Sequence, residues 1–132
     1  MRRLVRWWVF WGLVVWFVSF PWIGLTLEPQ WHRIHWMPFG DPADKFRDIA
    51  ANILLFLPLG FSVTRRRTPV TGLLVAAGLA AGVSVSAEAM QLFSTKRYPS
   101  ATDVLAGIFG AVAGGMTTTV LRMPSKPETW TD

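Results

Sequence analysis

The chain has 132 residues, of which 52% are hydrophobic and 16% charged, with eight Trp and nine Phe; soluble domains carry about 25% charged residues, so this is the composition of a small membrane protein. With no cysteine, a disulfide framework, a thiolate metal site and a Cys nucleophile are excluded. The net charge of +5 does not point to nucleic acid, because the cations fall in short clusters between apolar runs, as topology-setting charges do.

The first element is the aromatic-rich run over residues 5–24, behind Arg2, Arg3 and Arg6. A spanning helix needs about 20 apolar residues. The run is long and has no small-residue cleavage site, so a retained anchor is expected rather than a removed signal. The polar segment after it carries Glu28, His32 and His35, interleaved with Trp31 and Trp36. An interfacial aromatic belt explains this pattern better than a metal site, and no metal or cofactor is expected.

The second run, residues 49–63, is short for a span. Its helix is expected to start earlier, near residue 46, and to take in Asp48, giving a span over 46–64. Pro58 removes one backbone donor from it and favours a kink. The third and fourth spans are expected over 70–93 and 102–121. "GLAAG" at 78–82 and "GAVAG" at 110–114 are both G-x-x-x-G, which predicts close packing of helices 3 and 4. Residues 125–132 form a short polar tail after a single domain over 1–124.

The expected fold is all-α, an integral membrane four-helix bundle. Four spans put both termini and the 65–67 arginine loop on one side, with eight Lys and Arg there against five opposite. The richer side is expected to be cytoplasmic, which makes the chain a multi-pass protein of the inner membrane.

The polar residues within and beside the spans then converge at the outer ends. Ser84, Glu88 and Gln91 share one face of helix 3 at i, i+4 and i+7. Asp48 and Asn52 stand at the start of helix 2, Arg97 in the loop before helix 4, and Asp103 in its first turn. An ionisable residue inside a span is expensive and marks a site by default. Glu88 is the candidate for proton exchange, with Arg97 as its expected partner. Asp48, Asn52, Gln91, Arg97 and Asp103 are candidate ligand-binding residues. "SATD" at 100–103 also resembles a capping box, with Ser100 as N-cap, so Asp103 has a structural role open to it. Arg97, Lys96 and the helix 4 N-terminus together make an anion site.

"NILLFLPLGF" at 52–61, E-x-x-Q at Glu88 and Gln91, R-x-x-S-x-x-D at Arg97, Ser100 and Asp103, and the Gly-rich helix that follows together resemble the VanZ-like membrane protein family. The resemblance runs over about residues 45–115. It implies a cell-envelope context linked to teicoplanin resistance. One position departs from the family pattern: Gly107 stands where the family often has Asn. Three functions are compatible with these residues. The first is binding of, or action on, an envelope amphiphile such as a lipid-linked phosphate, with membrane lipids as partners. The second is an intramembrane enzyme of envelope lipid or polysaccharide metabolism. The third is a non-catalytic scaffold or partner subunit.

Overall fold

The computed structural model describes residues 2–40 and 46–122; the expected tail at 125–132, Lys45 and Lys126 lie outside them. Among the described residues the protein is all-helical, with four long helices: α1 (Arg2–Ser19), α2 (Phe46–Thr64), α3 (Pro69–Gln91) and α4 (Ala101–Leu121). Helices α2, α3 and α4 are each long and apolar enough to cross a membrane, and α1 contributes a shorter apolar stretch, Trp7–Ser19. The bundle is that of a membrane protein.

Helix α2 begins at Phe46 and takes in Asp48, and it runs on through Pro58. Helix α1 stops at Ser19 rather than continuing to Gly24. Pro21 explains the stop, since a proline disfavours helical backbone in the residue before it. The chain then turns back on itself, with Phe17, Phe20 and Trp22 stacked together and the Trp22 indole donating to the Phe17 carbonyl at 2.9 Å.

The tightest packing in the bundle is α4 on α2, and it is made by glycine. A Cβ at Gly110 would collide with the Ile53 carbonyl, one at Gly114 with the Leu57 carbonyl, and one at Gly60 with the backbone of Ala111. The two backbones therefore touch, as small-x-x-x-small faces allow. This corrects the expectation that both G-x-x-x-G pairs join helices 3 and 4. Gly110 and Gly114 face α2, while Gly78 and Gly82 on α3 meet nothing within 4 Å. Helix α3 meets α4 through other positions, with Gly107 against Ser84 and Gly115 against Leu73.

The core is small: Phe56, Leu59 and Val63 from α2, Ala76 and Ala80 from α3, Ala111 from α4 and Val15 from α1. Helix α1 is fixed to α2 by the Trp11 indole, which donates to the Leu55 carbonyl at 2.7 Å. At one end of the bundle Arg122 donates to the Arg67 carbonyl at 3.2 Å, so the 65–67 loop and the end of α4 meet. At the opposite end Gln91, the last residue of α3, makes a long hydrogen bond of 3.4 Å to the carbonyl of Ser19, the last residue of α1.

That second end is roofed by the segment between α1 and α2. Between Gly24 and His35 it runs along the α3–α4 loop, with one 3-10 turn at Trp31–Arg33, and is stitched to it by main-chain bonds: Thr26 to Phe93 at 2.8 Å, Thr95 to Gly24 at 2.7 Å, Gln30 to Leu92 at 2.7 Å and His35 to Pro99 at 2.9 Å. Gly24 has φ +77, and a Cβ there would press on the Lys96 and Thr95 side chains. Glycine is needed at this crossing for both reasons.

Candidate functional site

The site is built on the start of α4. Ser100 is its N-cap, and the Ser100 hydroxyl accepts from the Thr102 N–H at 3.2 Å. In a capping box the third helical residue, here Asp103, would reach back to the N-cap N–H. Instead Glu88 reaches across from α3, and its Oε2 accepts from the Ser100 N–H at 2.8 Å. Asp103 turns to α2, where its Oδ1 accepts from Asn52 Nδ2 at 2.7 Å. The box is thus split between helices, and each half ties α4 to a neighbour.

This replaces the expected Glu88–Arg97 ion pair. Among the described residues the Glu88 carboxyl accepts only the Ser100 N–H. Glu88 is buried at 9% exposure, while Arg97 is exposed in the loop. Direct pairing would require burying the guanidinium as well, which is costly, whereas the Ser100 N–H is already fixed beside the carboxyl.

Beside this wall lies a cavity of about 400 Å³ between the ends of α1, α2 and α3 and the α3–α4 loop. Asp48, Asn52, Gln91, Arg97 and Asp103 all line it, with Ser19, Lys96, Tyr98 and Ser100. Residues far apart in sequence therefore meet at one place. Glu88 does not line this cavity; it lies behind Ser100 and faces an apolar groove. Gly107 is also elsewhere. It packs inside the bundle, where a Cβ would come within 2.6 Å of Ser84 Oγ and 3.0 Å of the Phe56 ring. The departure from the family pattern at this position removes no group from the cavity.

Two contributors are absent from the sequence-derived set. Tyr98, the one tyrosine of the chain, lines the cavity and stacks on His35 with ring centroids 4.2 Å apart. Its uniqueness was the available signal. Arg33 holds the loop in place, donating from Nη1 to the carbonyls of Ser94 at 3.3 Å and Thr95 at 2.8 Å. Nothing local in the sequence marks that role, because the loop is 61 residues further along the chain.

Three arginines elsewhere in the protein are committed to backbone. Arg33, Arg67 and Arg122 each donate to carbonyls. The Arg97 guanidinium makes no hydrogen bond or ion pair among the described residues, although its own N–H donates to Ser94 Oγ at 3.1 Å. The cavity thus presents an uncommitted guanidinium, with the Lys96 ammonium beside it, to whatever enters. The α4 N-terminus is less available than expected. Its leading N–H groups are already taken by Glu88, by the His35 carbonyl at 3.0 Å and by Ser100 Oγ. An anion here is held by side chains rather than by a bare helix end. Among the described residues no three His, Asp or Glu side chains are grouped to hold a metal ion.

Compared with known proteins, the sequence model of the family described as VanZ/LLP1 matches residues 7–122. No curated protein and no solved structure matches the chain.

Proposed function

The chain belongs to the VanZ/LLP1 family, and we propose that it binds or acts on the phosphate-bearing headgroup of a cell-envelope amphiphile, held in the polar cavity. In this reading the protein sits in a bacterial inner membrane with four spans and both termini cytoplasmic. The cavity then opens outward, because it lies at the end of the bundle opposite the arginine loop. Arg97 and Lys96 hold the phosphate. Gln91 and Tyr98 orient it, and Asp48 stands at the rim for a cationic or hydroxyl group of the ligand. Such binding would link the protein to tolerance of glycopeptide-type antibiotics, the context that the resemblance to VanZ-like proteins implies.

The observation that carries this reading is the Arg97 guanidinium, which has no bonded partner among the described residues, in a cavity lined by polar groups from several helices. A cation beside the helix ends with no bonded partner among the described residues is matched to an outside anion. Native mass spectrometry of the purified protein tests it. A co-purifying lipid that carries a phosphate supports the reading. Retention of neutral lipids alone contradicts it.

A further inference from the structure

The polar cavity is not the only concave surface at this end. On the far side of the Glu88–Ser100 wall, a groove of about 450 Å³ runs between α3 and α4. Its sides are apolar: Val85 and Leu92 of the α3 end, Val104 and Leu105 of α4, and the indoles of Trp31 and Trp36 from the roof. Trp31 and Trp36 are 64% and 76% exposed, so the groove is open rather than filled. At its floor sits Glu88, nine-tenths buried by the protein. One carboxyl oxygen is used by the Ser100 N–H. Among the described residues the other has no hydrogen-bond partner.

We propose that this groove is a second binding site, separate from the polar cavity, for a long-chain alcohol whose hydroxyl meets the spare oxygen of Glu88. Apolar walls select a hydrocarbon chain, and a carboxyl oxygen without a partner in such surroundings calls for one polar group on that chain. Beside Glu88 the Ser100 hydroxyl accepts from the Thr102 N–H and keeps its own O–H to donate, so the wall can offer an acceptor and a donor, which one hydroxyl meets together. An ammonium brings three donors and would leave two unmet; a hydroxyl brings one. A hydroxyl can also donate to a carboxylate or accept from a carboxylic acid, so it fits Glu88 in either form. A plain acyl chain would fill the groove and bring that oxygen no donor, at a cost.

The test uses the full chain in detergent and a diazirine-bearing hexadecanol as the photo-probe, with labelled positions mapped by peptide mass spectrometry. The probe should mark groove residues such as Val104 and Leu105. Unlabelled hexadecanol should compete about tenfold better than hexadecane, the ratio that one net hydrogen bond gives. Glu88→Leu should erase that preference. Because Glu88→Leu also removes the Ser100 bond, Val104→Trp is the second variant: it fills the groove, leaves the Glu88–Ser100 wall intact, and should abolish labelling. Equal competition by alkane and alcohol on the native protein, or undiminished labelling of Val104→Trp, overturns the proposal.

Discussion

Asn52 and Glu88 both carry side chains that a ligand could use, yet each has a bond to the protein. Asn52 donates to Asp103, and Glu88 accepts from Ser100. Removing them therefore tests folding as well as binding. Glu88→Ala leaves the Ser100 N–H buried without an acceptor and should cost about 1–3 kcal/mol. Glu88→Gln keeps an amide oxygen for that N–H and should cost clearly less. Thermal unfolding in one detergent compares the two; equal losses would mean that the Ser100 bond contributes nothing. Arg33→Gln should loosen the 94–97 loop, at a cost of about 1–3 kcal/mol for its charge-assisted bonds to backbone. Faster hydrogen exchange confined to that loop is the expected sign, and unchanged exchange there would count against the role given to Arg33. The positions of Glu88, Gln91 and Asp103 at one end of the bundle were legible from helical spacing and span ends. The direction in which Glu88 points was not, because it depends on the rotation of α3 against α4.

Among the helices, the glycines decide what packs on what. A methyl group at Gly110 or Gly114 collides with α2 backbone, which cannot give way as a side-chain tip can. Gly110→Ala should destabilise the bundle by about 1–3 kcal/mol, as overpacking does. Gly78→Ala, which adds a methyl where nothing lies within 4 Å, should leave the melting temperature within error. Similar losses from both changes would contradict the α2–α4 packing described above. The two G-x-x-x-G pairs look alike in sequence, so their spacing reveals small faces but not their partners. The partner depends on how each helix is rotated in the bundle, and that is a tertiary property. The extents of α2, α3 and α4 were nearly legible from hydropathy, since each is a long apolar run. The end of α1 was misjudged because apolar residues continue beyond Pro21 into a turn that the aromatic side chains fold back.

At the scale of the whole molecule, the arginine loop and the end of α4 meet at one pole and the polar cavity sits at the other. The proposed topology places the first pole in the cytoplasm. Reporter fusions after Arg67 and after Met123 should read cytoplasmic, and one near Asp41 external; an external signal after Arg67 would invert the scheme. The cavity was partly legible in the sequence: Asp48, Asn52, Gln91, Arg97 and Asp103 could be assigned to one membrane face from the span ends alone. That Arg97 has no bonded partner among the described residues while Arg33 secures its loop could not be read, because both depend on contacts between distant segments. The central claim is that this uncommitted cation, with Lys96, holds a lipid phosphate. The most direct measurement is titration of a short-chain lipid phosphate into the native protein and into Lys96→Gln, Arg97→Gln, read by native mass spectrometry beside a thermal melt. The account predicts binding weakened by about tenfold or more with the loss of charge-assisted bonds, at an unchanged melting temperature. Equal binding by the two proteins would contradict it.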